Sequence, residues 1–172
     1  MSKRHLILLR HAKSACPEGV DDHDRPLAER GRKAAPIIGR HIAAEMLSPD
    51  LVLVSPARRA QETWALVKPM LPKKTKVEKA PGIYEVPGSA IIDVIRSVDA
   101  AVSTLMLVGH NPGMEEAAAL IAGDGDADAR ARMAEKFPTT GLAVIDLHIE
   151  SWGALSHGCG SLQRFVTPRM LA

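Results

Sequence analysis

The sequence predicts an α/β protein of three layers, α/β/α. A mostly parallel sheet lies between helices on both faces and carries an antiparallel C-terminal edge. Three observations lead there. Short apolar runs of strand length recur at residues 5–9, 50–54 and 104–108. Each is followed by a polar junction and then by apolar residues at helical spacing. Near the C-terminus the pattern changes to closely spaced short strands. Alternating strands and helices favour parallel pairing through crossover helices.

The chain has 172 residues, read as one domain over 1–172, and is long enough to bury a core. Its net charge of +2 gives no strong field. Nucleic acid and anionic membranes are therefore not the expected partners. No apolar stretch is long enough to span a bilayer. The basic start Met1-Ser2-Lys3-Arg4 is followed by too short an apolar run for a signal peptide. Cys16 and Cys159 stand far apart, in no zinc or redox spacing. A reduced, cytoplasmic protein is expected.

Residues 5–9, His-Leu-Ile-Leu-Leu, are continuous and apolar, as a strand buried on both faces should be. Residues 12–26 form a polar loop with Pro17, Gly19, Asp21, Asp22 and Asp24. Such a loop after a first strand is often functional. Leu27, Gly31, Ala34, Ile38, Ile42 and Met46 share one helical face, so a helix is predicted over 27–46, kinked or broken at Pro36. A second strand covers 50–54. Ser55-Pro56 then supplies an N-cap and a first helical residue. Ala60, Trp64, Val67 and Leu71 form that helix's apolar stripe, and Pro69 and Pro72 end it.

A short strand is predicted over 75–78, a loop over 82–88 and a third helix through Ile91, Ile95 and Val98. The strand at 104–108 leads into Gly109-His110-Asn111-Pro112, again a cap followed by proline. Met114, Ala117, Ala118 and Ile121 are the inward residues of the next helix. Residues 123–128 read as an acidic surface loop. Residues 142–149 read as a strand, and 152–157 and 161–166 as two more, joined at Gly158-Cys159-Gly160. There is no internal repeat and no linker.

In parallel sheets, sites form beyond the carboxyl ends of the strands. Here three strand-to-helix junctions carry basic residues: Arg10 and His11, then Arg58 and Arg59, then His110. Arginines in the first turn of a helix oppose its dipole. A bound anion compensates that, and a phosphate fits guanidinium forks, imidazole and free backbone N–H groups best. No Walker or dinucleotide glycine pattern is present, and no carboxylate cluster marks a metal. The candidate nucleophiles are then His11, Ser14 and Cys16. A histidine nitrogen can attack phosphorus, with arginines neutralising the oxygen charge.

Three blocks carry a resemblance. They are Leu9-Arg10-His11-Ala12-Lys13-Ser14, Ser55-Pro56-Ala57-Arg58-Arg59-Ala60-Gln61-Glu62-Thr63 and Val108-Gly109-His110-Asn111-Pro112-Gly113. In that order they resemble the signature of the histidine phosphatase superfamily, with its phosphoglycerate mutase-like fold. The short chain looks most like the SixA-type phosphohistidine phosphatases. Asp24-Arg25-Pro26-Leu27, Glu29-Arg30-Gly31 and Tyr84-Glu85 resemble further features of that branch.

The resemblance implies His11 as the phosphorylated nucleophile, with Arg10, Arg59 and His110 binding the phosphoryl group and Ser14 a lesser contact. Arg59 rather than Arg58 matches the family position. Glu85, the sole carboxylate of the 82–88 loop, is the candidate general acid. The larger members' covering insert is missing, which implies an open site suited to a phosphoryl group displayed on a protein. The expected activity is metal-independent hydrolysis without a cofactor, releasing inorganic phosphate. The favoured substrate is phosphohistidine in a protein. The alternatives are a small phosphorylated metabolite or a non-catalytic phosphate-binding module. His5, His23, His41, His148, His157 and both cysteines have no matching context, and Trp64 and Trp152 are expected in the core.

Overall fold

The structure, a computed structural model, describes residues 3–72 and 74–171. Met1 and Ser2, which begin the basic N-terminal segment, lie outside the described residues. The strands are β1 (Lys3–Arg10), β2 (Leu51–Val54), β3 (Lys76–Lys79), β4 (Thr104–Gly109), β5 (Ala122–Gly125), β6 (Leu142–His148) and β7 (Gly160–Val166). They form one sheet in the order β3-β2-β4-β1-β6-β7-β5. The pairs β3–β2, β2–β4, β4–β1 and β7–β5 are parallel. The C-terminal region supplies the antiparallel pairing, with β6 antiparallel to both β1 and β7.

The helices are α1 (Glu29–Ala44), α2 (Arg58–Val67), α3 (Gly88–Arg96), α4 (Gly113–Ile121), α5 (Ala127–Glu135) and α6 (Pro168–Leu171). The two-residue period of β1 divides the core between the two faces. Leu6 and Leu8 enter one cluster with Leu105, Leu107, Ile91, Ala117 and Met133, beneath α3, α4 and α5. Ile7 and Leu9 enter the other with Val52, Val54, Ile38 and Trp64, beneath α1 and α2. Leu6 through Leu9 are wholly buried. Each such side chain contributes roughly 2 kcal/mol by burial. This two-sided burial is why the run is continuous rather than alternating.

Several elements depart from the sequence expectation. Pro36 does not break α1. It removes one hydrogen bond, while Ala35, Ile38 and Ile42 hold both halves of the helix against the sheet. Met46 is not inward-facing. It lies past the helix end at φ 56° and is 86% exposed. The helix after β2 begins at Arg58, not at Ser55-Pro56, with Ala57 at its N-cap position.

Residues 123–128 are not a loop. They form the edge strand β5 and the start of α5, whose Asp126 cap accepts from the Ala129 N–H at 2.9 Å. Short, polar and glycine-containing, β5 gives no strand signal of its own. It forms because the β7 edge is free to pair with it. Residues 152–154 are a 3-10 turn rather than a strand. Trp152 is wholly buried there and donates from its indole nitrogen to the Val102 carbonyl at 2.8 Å. Trp64 is buried as well.

Candidate active site

β1 and β4 are parallel neighbours in register to their last residues, Arg10 opposite Gly109. The backbone beyond them stays tied. His11 N–H donates to the Gly109 carbonyl at 3.0 Å, and Ser55 N–H donates to the Val108 carbonyl at 3.0 Å. Three strand ends therefore deliver Arg10-His11, Ser55 and His110 to one edge. The rings of His11 and His110 lie 5.1 Å apart.

His11 is buried, and its Nδ1 lies 2.8 Å from the Ala12 carbonyl. A carbonyl only accepts, so Nδ1 carries the proton and Nε2 keeps its lone pair. Burial lowers the His11 pKa to about 3, helped by the charges of His110, Arg59 and Arg10 and opposed by the Ala12 carbonyl. The ring is neutral across the physiological range, with the Nε2 lone pair free. Ala12 is fixed in turn. Its N–H donates to Thr63 Oγ1 at 2.9 Å, and that hydroxyl donates to the Arg59 carbonyl at 2.7 Å. Thr63, wholly buried on α2, thus couples the nucleophile's turn to the helix that carries Arg59.

Among the described residues, the buried side-chain atoms lacking hydrogen-bond partners are Arg10 Nε, Arg59 Nε, His110 Nδ1 and His41 Nε2. Three of these four belong to the junction residues. Buried polar groups are normally paired, so the concentration of free donors here is of the kind that could receive an anion's oxygens. The rest of each group is anchored. Arg10 Nη1 donates to the Phe137 carbonyl at 3.0 Å, which also accepts from Asn111 Nδ2 at 2.9 Å. His110 Nε2 lies 2.6 Å from Ser55 Oγ. That oxygen accepts from the Ala57 N–H at 3.3 Å, so the hydroxyl proton is available to Nε2 and Nδ1–H can serve as a donor. Burial lowers the His110 pKa to about 4, with Arg59 adding to the effect.

Carboxylates lie on the solvent side. Arg59 Nη1 donates to the Asp22 carbonyl at 2.7 Å, and Nη2 donates to Asp22 Oδ2 at 3.0 Å. Glu85 Oε1 is 4.0 Å from the same Nη2. Tyr84 donates its hydroxyl to Asp22 Oδ2 at 2.6 Å. These bonds pull the Asp22 pKa well below the usual carboxylate range, the Tyr84 bond most strongly. Glu85 is shifted up, chiefly through its hydrogen bond with Asp22. Tyr84 is pushed up to about 12 by desolvation and by Asp22. The two carboxyls are thus pushed in opposite directions, Asp22 towards the charged form and Glu85 towards the protonated one. Glu85 sits in its loop at φ 50°. A Cβ on Gly113 would come within 2.3 Å of the neighbouring Val86 carbonyl, so only glycine lets α4 start against this loop.

Arg10, His11, Ser14, Arg59, Glu85 and His110 all line one cavity of about 270 Å³. Ser14 stands on its wall, but its hydroxyl already accepts from Arg25 Nη2 at 2.7 Å. Arg58 points away, paired with Glu62 at 3.0 Å. Sequence reasoning missed Thr63, Ser55 and the Phe137 carbonyl as supports, and Asp22 as a partner of Arg59. Thr63 lies at the end of the 55–63 block. Ser55 read as a helix cap. A backbone carbonyl has no sequence signal. Among the described residues, no three His, Cys, Asp or Glu side chains are arranged to hold a metal. No helix of these residues is long and apolar enough to cross a membrane.

Comparison with known proteins agrees with this geometry. Residues 6–91 match the family described as histidine phosphatase superfamily (branch 1). An uncharacterized Mycobacterium tuberculosis protein is 38% identical over 163 residues, covering 94% of this chain and all of that one. A chloroplastic Arabidopsis thaliana protein is 33% identical over 161 residues, covering 87% of this chain and 69% of its own length. Among solved structures, an Agrobacterium tumefaciens protein named for SixA phosphohistidine phosphatase superposes with a TM-score of 0.80 at 32% identity, over 96% of this chain and 98% of the other. A Nakamurella multipartitia protein of the same name reaches 0.84 at 26% identity, over 98% of both chains. The chain belongs to the histidine phosphatase superfamily, in its SixA-like branch.

Proposed function

We propose that this phosphatase hydrolyses phosphohistidine on a protein, through a covalent intermediate at His11. The observation that carries the proposal is the locked tautomer of His11. Its Nδ1–H is held by Ala12, and its free Nε2 lies in a cavity lined by Arg10, Arg59 and His110. In the first step the Nε2 lone pair forms a bond to phosphorus while the substrate's P–N bond breaks. The departing imidazole keeps that electron pair and takes a proton, from Glu85 or from water. In the second step a water oxygen attacks phosphorus, and the His11 N–P bond returns its pair to Nε2. The water's proton goes to the carboxylate of Glu85 or to solvent, and inorganic phosphate leaves. Arg10 and Arg59 neutralise charge on the phosphoryl oxygens throughout, and the Nδ1–H of the neutral His110 donates a hydrogen bond to them. No metal or cofactor enters this scheme.

The site's openness supports a protein-borne substrate. Glu85 is exposed, and the cavity is small beside a whole substrate protein. A neutral imidazole also leaves without a strong acid. A second reading, hydrolysis of a small phosphate ester, is favoured by one observation: Glu85 holds its proton more firmly than an ordinary glutamate, as an alkoxide leaving group requires. Rates on a phosphohistidine protein and on sugar phosphates separate the two. A higher kcat/KM on the phosphoprotein supports the proposal, and the reverse order supports the ester reading.

A further inference from the structure

Beside the catalytic cavity runs a larger one of about 520 Å³. Its charged lining is entirely cationic: Lys13, Arg30, Lys136 and Arg169, with no carboxylate. These come from four separate segments: the nucleophile's loop, the first turn of α1, the residue after α5, and α6. Ala34, Pro138 and Pro168 give the groove an apolar floor. The ion pairs among the described residues engage none of the four cations. Like charges gathered along one groove make a positive potential that is complementary to an acidic partner. The groove adjoins the candidate active-site cavity, since Lys13 and Thr139 line both.

We infer that this groove docks an acidic segment of the phosphorylated protein, adjacent to its phosphohistidine. The inference rests on the phosphoprotein reading above. A compact anion such as a second phosphate would call for convergent buried donors. Here the cations are exposed and spread along the groove, and none of the unpartnered buried atoms belongs to it. Carboxylates spaced along an extended peptide match that distribution. Their aliphatic stems can lie on the alanine and proline floor.

The test uses the whole protein and two exposed positions outside the catalytic machinery, Arg30 and Arg169. A fluorescent decapeptide of Asp, Glu and Gly, carrying no phosphate, is titrated against wild type and against R30E/R169E. Wild type is expected to bind it, with an affinity that falls with salt, and the double variant to bind about tenfold more weakly. Phosphohistidine peptides with acidic or with Ser/Gly flanks are then turned over. The variant should raise KM about tenfold for the acidic peptide only, leaving kcat unchanged. R30Q and R169Q, which change less, should each give a smaller shift in the same direction. Absence of binding to the acidic decapeptide, equal KM changes for both flanks, or stronger binding of inorganic tripolyphosphate than of the peptide would overturn the inference. Failure of the phosphoprotein reading looks different: the decapeptide still binds, but neither phosphohistidine peptide is hydrolysed.

Discussion

Asp22 grips Arg59 at two points, its carbonyl accepting from Nη1 at 2.7 Å and its carboxylate from Nη2 at 3.0 Å. The guanidinium that would hold a phosphoryl oxygen is therefore shared with a loop carboxylate, which also raises the pKa of Glu85. Asp22→Asn removes a negative charge from the site's rim. Inorganic phosphate should then inhibit at lower concentration. The Glu85 pKa should fall, so the alkaline limb of kcat/KM on a phosphate ester should move to lower pH. A limb that stays in place or moves up contradicts this coupling.

Glu85→Gln should lower kcat on a phosphate ester by roughly 10²-fold and change the phosphohistidine rate much less. Steady-state rates on both substrates decide it. Equal losses would show that the acid matters for both leaving groups.

Thr63 bridges the Ala12 N–H and the Arg59 carbonyl inside the core. Thr63→Val keeps the shape but leaves the buried Ala12 N–H without its partner, at a cost of about 1–3 kcal/mol in chemical denaturation, while the Arg59 carbonyl keeps its helical N–H donor. The turn bearing His11 also loosens, so kcat should fall while Thr63→Ser restores most of it. A Val variant that loses stability with kcat intact would limit Thr63 to packing.

The pH dependence of stability has a definite sign. His11 and His110 have folded pKa values of about 3 and about 4, below the 6.5 of an unfolded histidine. Between those values the unfolded chain binds more protons, so stability rises with pH. It should be complete above pH 6.5 and fall progressively on acidification towards pH 3 to 4. Urea titrations from pH 7 to 4 check this. His110→Gln should flatten the slope in the same range, and an unchanged slope would contradict the burial argument.

Much of this arrangement was legible in the chain. The β1, β2 and β4 runs are apolar throughout because both faces are covered, and each stops at the residue where the site begins. The basic junction residues stood out because Arg59 opposes its helix dipole and His11 ends a buried strand. The supports were less visible. Ser55 followed by Pro56 carries the chemistry of a cap, and only the 2.6 Å approach to His110 shows its other use. The edge strand β5 and the turn at Trp152 depend on partners more than 30 residues away, β7 for one and Val102 for the other. Local pattern does not record such partners.

The central claim is that His11 becomes covalently phosphorylated. Rapid mixing with a radiolabelled phosphohistidine protein, quenching in base and mapping of the labelled peptide test it most directly. The account predicts acid-labile, base-stable phosphate on His11 within the first turnover, absent from His11→Ala, which should also have lost hydrolysis. Phosphate missing from His11, with hydrolysis persisting in the Ala variant, would contradict it.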